Sequence, residues 1–187
     1  MTTLDGYILT LHRIPGPKGT TFVNGIKKQK PTVLLLHGLF MNAMGWIDSG
    51  PDGNGKAIPY QLVDTEKYDV WLMNARGIIY SREHTWLSPD SSALFWNFSF
   101  EEFAKFDLKA SIEFIQNEKN SKEKITLIGY SQGTTTTFYA MAEDSAFFKS
   151  KINIFIGLAP TIYFANAKEE RIQILSKQTA LYEYLVS

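Results

Sequence analysis

The chain contains no cysteine, which excludes both a disulfide framework and a thiolate metal site. It carries no excess of charge either, since 19 lysines and arginines balance 19 aspartates and glutamates. A balanced chain has no long-range field to draw in nucleic acid or an anionic membrane. No apolar run approaches the roughly 20 residues that cross a bilayer. The nearest, Ile152 to Ala165, is short and broken by Gly157 and Pro160. Met1 to Tyr7 shows neither a basic n-region nor an apolar h-region, so no signal peptide is expected in these residues. Also missing are a metal-spaced His/Asp/Glu cluster, a phosphate loop and a dinucleotide fingerprint, so neither metal nor cofactor is expected. The last absence is local. The three histidines, His12, His37 and His84, all precede residue 131, and none follows it.

What is present describes a globular domain. At 187 residues, 44% apolar and 20% charged, the chain can bury a sizeable core. The Asp5-Gly6 turn leads into a strand over Tyr7 to Ile14, and a polar loop runs from there to Pro31. Thr32 to Leu36 is a continuous apolar run, the pattern of a strand covered on both faces in a parallel sheet. Asp48 to Lys56 is a loop by composition, and Tyr68 to Met73 is the next strand. An aromatic and serine-rich loop spans Ile78 to Asn97. Phe100 to Asn117 reads as an amphipathic helix burying Phe103, Phe106, Ala110, Phe114 and Ile115, with Ser99 and Glu102 forming a capping box. Ile125 to Ile128 is a strand, Thr134 to Glu143 a helix, and Lys151 to Gly157 a strand. The tail from Thr161 reads as helical. Strands alternating with helices predict an α/β fold with a mostly parallel sheet and flanking helices.

Between the strand at 125–128 and the helix after it lies Gly129-Tyr130-Ser131-Gln132-Gly133, the spacing of a nucleophile elbow. A serine at the apex of so tight a turn holds a strained backbone, and side chains two residues to either side would collide. Gly129 and Gly133 remove those side chains. Ser131 then stands clear of the sheet, and the Gln132 amide points to where an oxyanion would form. A second oxyanion donor comes from the loop after an early strand. His37-Gly38-Leu39 is placed to supply it through the Leu39 N–H, with His37 shaping the loop. One such donor is worth roughly 3 kcal/mol of transition-state stabilisation.

A serine nucleophile needs a base, which in this chain order comes after the serine. No histidine is there to serve, so the triad is not completed within these residues. His84 reads as solvated, Arg76 as a partner for a carboxylate, Asp107 as structural, and most of the four tryptophans as core. Asn97-Phe98-Ser99 is a glycosylation sequon, meaningful only in a secreted chain.

Several stretches together resemble the acid lipase family, the gastric and lysosomal lipases of triacylglycerols and cholesteryl esters. They are Leu4 to Leu9 with His12 to Pro15, Leu36 to Leu39, Tyr68 to Leu72 with Asn74 to Gly77, Phe95 to Phe100 with Asp107-Leu108, Gly129 to Thr135, and Leu158 to Pro160. Met73 departs from the family, whose members carry glycine there, and Ile78-Ile79 replace a more polar run. The resemblance implies an α/β-hydrolase fold that is incomplete here. Residues 1–160 would be the N-terminal part of the core, and 161–187 the start of a cap or lid. It implies Ser131 as nucleophile, with the Leu39 and Gln132 amides as oxyanion hole. The Asp and His of the triad would come from the family's later strands. The expected activity is hydrolysis of lipid carboxylic esters, impaired in these residues alone. The alternative is a catalytically inactive lipid-binding or interaction module. The partner is then a lipid ester, with interfacial contact to lipid and no nucleic acid, and the family is typically secreted or lysosomal.

Overall fold

A computed structural model describes residues 1–17, 30–48 and 57–163. The expected loop over 49–56, most of the loop before Pro31, and residues 164–187 of the expected helical tail lie outside the described residues. The centre is a five-stranded sheet in the order β2 (Leu11–Ile14), β4 (Asp69–Met73), β3 (Thr32–Leu36), β6 (Ile125–Tyr130) and β7 (Ile152–Leu158). β2 runs antiparallel to β4, and the other pairs are parallel. All five residues of β3 and of β4 are buried, as continuous apolar runs require when both sheet faces are covered.

The two faces carry separate cores. Leu34, Leu36, Trp71 and Leu127 point to one side, against Leu108, Ile112 and Ile115. Val33, Leu35, Val70 and Ile128 point to the other, against Val63, Ala43 and Trp46. Val63 belongs to α1 (Ile58–Asp64), a helix the sequence reading did not anticipate. A short helix α5 (Ser145–Lys151) before β7 was likewise not foreseen.

Three expectations need correction. The strand over 7–14 is interrupted, because β1 (Tyr7–Ile8) pairs with β5 (Glu83–His84) and β2 turns away to β4. The break falls at Thr10, whose N–H donates to Ser81 Oγ and whose carbonyl accepts from Asn74. The loop over 78–97 contains β5 and a 3₁₀ turn, Ala93–Trp96. The helix from Phe100 is composite: α2 (Phe100–Glu102), a π segment (Phe103–Leu108) and α3 (Lys109–Glu118). Its capping box forms as expected. Ile115 is buried as expected, and Phe103 and Phe114 pack partly buried against the core, but the rest of the most buried face, Ala104, Asp107, Leu108, Ser111 and Ile112, lies one step round from the aromatic stripe. A hydrophobic pattern misses that face because two of its residues are polar and hydrogen-bonded.

Of the tryptophans, Trp46 and Trp71 are core and Trp86 is 73% exposed. Asn97 is exposed, at a turn closed by the Phe98 N–H on the Trp96 carbonyl. Its φ of −80° and ψ of 69° are those of an inverse γ-turn.

The order of strands fixes where a site can form. From β3 the chain crosses to β4 on one side, whereas β6 and β7 lie on the other. Loops leaving β3 and β6 therefore diverge and open a crevice beyond their carboxyl ends.

Candidate active site

Ser131 stands at that crevice, between β6 and α4 (Gln132–Glu143), with φ 49° and ψ −116°. Such a backbone is strained by about 1–3 kcal/mol for a residue with a side chain, and it persists only where the surroundings over-determine it. They do so here. A methyl on Gly129 would lie 2.8 Å from the Gly133 carbonyl oxygen, and one on Gly133 would lie 2.5 Å from that of Leu36. The steric argument for the two glycines is thus met by backbone atoms that cannot yield. The Ser131 N–H donates to the Leu158 carbonyl at 3.0 Å, tying the turn to the end of β7. Its own carbonyl accepts from the Thr134 N–H at 2.8 Å and the Thr134 hydroxyl at 2.6 Å. The serine is half-buried rather than sunk in the core.

The loop after β3 lies against it. A methyl on Gly38 would come within 3.1 Å of Ser131 Cβ and 3.0 Å of the Tyr130 ring, so a side chain there would have to push its neighbours aside. The Gly38 carbonyl accepts from the Met41 N–H at 3.2 Å, closing a turn whose third residue, Phe40, has φ 59°. Among the described residues the Leu39 N–H makes no hydrogen bond. Gln132 is the first residue of α4 and its N–H has no intrahelical partner. The Gln132 N–H lies at the positive end of a 12-residue helix, and the Leu39 N–H follows Gly38, which packs against Ser131.

His37 is the residue that shapes this loop. Its Nε2 accepts from the Ala75 N–H at 3.2 Å, which leaves the ring proton on Nδ1 to donate to the Gly38 carbonyl at 2.8 Å. Burial lowers its pKa, against the smaller opposite pull of the Gly38 carbonyl. Both nitrogens are engaged by backbone and neither meets Ser131.

The other histidines are no nearer to serving. His84 is not solvated: it is half-buried, with Nε2 on the Asp5 carbonyl at 2.9 Å and Nδ1 facing the Trp86 and Leu87 N–H groups. Tyr7 packs edge-on at 4.7 Å between ring centres. A polar loop hid this because Asp5, 79 residues earlier, and Tyr7 reach it only in the folded chain. His12 sits in β2, edge-on to Tyr80 at 5.1 Å.

Behind the loop lies a buried ion cluster. Arg76 forks onto Asp107, with Nε at 2.9 Å and Nη2 at 2.7 Å, and reaches Asp5 at 2.6 Å. The Arg76 N–H also donates to Asp107 at 2.9 Å, and Tyr7 lies 3.9 Å from the guanidinium. Burial pushes the Asp107 carboxyl up to about 6 against the pull of Arg76. Burial would lower the Arg76 pKa, but Asp5 and Asp107 more than offset it and raise it. The pairing expected of Arg76 is found, and Asp5 is an additional partner.

Met73 and Phe103 line a shallow depression beside Gln132, with room for about one water. Around the serine, Leu39 is 49% exposed, Phe40 77% and Tyr130 38%, an apolar rim. Among the described residues there is no cluster of His, Cys, Asp and Glu that could hold a metal, and no helix long and apolar enough to cross a membrane.

Two family models match the chain. One, described as the alpha/beta hydrolase fold, matches residues 31–183, and the other, a partial alpha/beta-hydrolase lipase region, matches residues 1–50. Human lipase member K is 41% identical over 180 residues, covering 95% of this chain and 43% of its own length. Mouse gastric triacylglycerol lipase gives the same identity and coverage. The chain therefore spans less than half the length of these curated relatives. A thermophilic esterase from Thermogutta terrifontis superposes with a TM-score of 0.56 at 17% identity, covering 94% of this chain and 52% of that one.

Proposed function

The chain belongs to the α/β-hydrolase fold family, and from that premise we propose that it is the nucleophile-bearing part of a lipase-like serine ester hydrolase. The reading rests above all on the strained Ser131 turn, packed against a loop with a free amide. Ser131 Oγ attacks the ester carbonyl, and the Leu39 and Gln132 N–H groups hold the tetrahedral oxyanion. Collapse expels the alcohol and leaves an acyl-serine, which water then releases. The substrate class is a carboxylic ester of a long-chain lipid. The relatives' names and the exposed Leu39, Phe40 and Tyr130 support it, since an apolar rim suits contact with a lipid surface. Residues 1–160 form the N-terminal part of the catalytic core and 161–187 begin a cap.

These residues alone turn over little, because His37 and His84 are held by backbone groups and His12 sits in β2, three strands away from β6, so none can act as the base of Ser131. The test combines a short-chain p-nitrophenyl ester with a phosphonofluoridate probe of the serine. The expected result is slow labelling confined to Ser131 and lost in Ser131→Ala, with turnover far below that of a complete lipase. Turnover at a complete lipase's rate, abolished by Ser131→Ala, would refute the impairment. Labelling that ignores Ser131→Ala would refute the nucleophile. The backbone-held His37 and His84 favour a second reading, a lipid-binding module without catalysis. It predicts fatty-acyl binding that Ser131→Ala leaves unchanged.

A further inference from the structure

Two hydrogen bonds hold the ends of the loop from His37 to Ala43, and both come from one corner, the end of β4. At the near end the Ala75 N–H donates to His37 Nε2. At the far end Asn74 Oδ1 accepts from the Ala43 N–H at 2.9 Å. Asn74 is wholly buried, and its Nδ2 donates to the Thr10 carbonyl at 3.0 Å. The partners fix which way the amide points, because only the nitrogen can meet a carbonyl and only the oxygen can meet an N–H. Ser81 closes the arrangement, donating to the Asn74 carbonyl at 3.0 Å and accepting from the Thr10 N–H at 3.1 Å.

Between these anchors the loop stores strain and lacks cover. Phe40 has φ 59° and is 77% exposed, so its own packing does not hold it in a left-handed conformation. That conformation disfavours a side-chain-bearing residue by about 1–2 kcal/mol. The Met41 N–H closes the turn onto the Gly38 carbonyl, and the two anchors hold its ends in place.

We infer that Asn74 is a positioning residue for the oxyanion loop. Acting through the Ala43 N–H, its carboxamide holds the strained Gly38–Met41 turn in the form that aims the Leu39 N–H at the space beside Ser131. This rests on the proposed roles of Ser131 and Leu39. Released at Ala43, the turn relaxes towards negative φ at Phe40, and the peptide groups on either side rotate with it.

Two variants of the whole chain test the assignment. Ala43→Pro deletes the donor to Asn74 and puts its Cδ where the Asn74 oxygen sits, forcing the two apart. Proline is compatible with the backbone there, because Asn42 is extended at φ −141° and ψ −174° and residue 43 opens a 3₁₀ turn. Asn74→Asp keeps an acceptor for Ala43 but needs a proton to serve the Thr10 carbonyl. One readout is the rate at which an alkyl phosphonofluoridate modifies Ser131. In that step the Oγ–P bond forms, the P–F bond breaks, fluoride leaves and the hydroxyl proton passes to solvent. The other is the Leu39 amide cross-peak in ¹⁵N-leucine-labelled protein.

Ala43→Pro is expected to react about 10-fold more slowly, a fraction of the roughly 10²–10³ lost with a whole oxyanion donor. Its Leu39 peak should shift while that of Leu127, in the sheet, stays put. A charged Asp at 74 repels the Thr10 carbonyl that orients the side chain towards Ala43, so Asn74→Asp should regain the wild-type peak and rate, relative to wild type at the same pH, as the pH falls. A fold-wide effect of burying that charge would move the Leu127 peak together with the Leu39 peak, whereas a titration confined to Leu39 reports the clamp. An unmoved Leu39 peak and a wild-type rate in Ala43→Pro overturn the inference. If that variant does not fold, the absence of recovery in Asn74→Asp overturns it. Labelling that persists in Ser131→Ala sinks the nucleophile reading instead, and the Leu39 peak still judges the clamp.

Discussion

Glycine 133 has no freedom to carry a side chain, and its neighbour in sequence spacing, Gly129, has none either. A Cβ at Gly133 would stand 2.5 Å from the backbone oxygen of Leu36, an atom that moves only if β3 moves. Gly133→Ala is therefore expected to destabilise the fold by about 2–3 kcal/mol or more, the upper range for overpacking. Gly157→Ala is the control, since the nearest atom to its Cβ is the Thr134 methyl at 3.6 Å, an ordinary contact. It should change stability by less than about 0.5–1 kcal/mol in urea denaturation. His37 supplies a pH dependence at the same scale. Burial lowers its folded pKa below the unfolded value, so the unfolded chain takes the proton more readily. Stability then falls as the pH drops below about 6.5. Wild type should lose more stability than His37→Gln between about pH 7 and pH 5. Asp107, raised to about 6, has the opposite sign, but it is present in both proteins and cancels in the comparison.

The element that most changes the picture is the helix after Ser99. Its capping box was legible, because Ser99 and Glu102 need only local spacing to meet. Its buried face was not, because Asp107 and Ser111 are polar and the hydrophobic pattern passes over them. The π segment over Phe103–Leu108 carries Asp107 to Arg76 at the end of β4, 31 residues away in sequence. Asp107→Ala leaves a buried guanidinium with Asp5 alone, itself part exposed. Breaking one partner from a buried pair costs about 3–5 kcal/mol. Thermal unfolding should show the loss, and Asp90→Ala, whose partner Arg82 is exposed, should show almost none.

Across the whole molecule the sheet is protected unevenly. β2 and β4 cover one flank, whereas among the described residues β7 is paired only with β6. Ile154 is 51% exposed and Ile156 43%, on an edge with unpaired backbone groups. An apolar open edge promotes association between chains. Ile154→Lys should shift sedimentation towards monomer without lowering the unfolding midpoint. A wild-type protein that sediments as a monomer at high concentration would remove the premise.

Some of this was written in the chain. Runs of mostly apolar residues without alternation identified β3, β4 and β6, because burial on both faces leaves few positions for polar side chains. The two glycines around Ser131 identified the turn, because steric exclusion acts over five residues. The sites of Leu39 and Gln132 follow from the same local spacing, and their catalytic roles are proposals. Tertiary structure alone decided which groups face one another across long sequence separations. It took His84 from solvent into an aromatic pocket, made Asp5 a partner of Arg76, and placed Asn74 against Ala43. Those pairings depend on directional hydrogen bonds between distant residues. Nothing in a residue's own neighbourhood records them until the sheet brings the strand ends together.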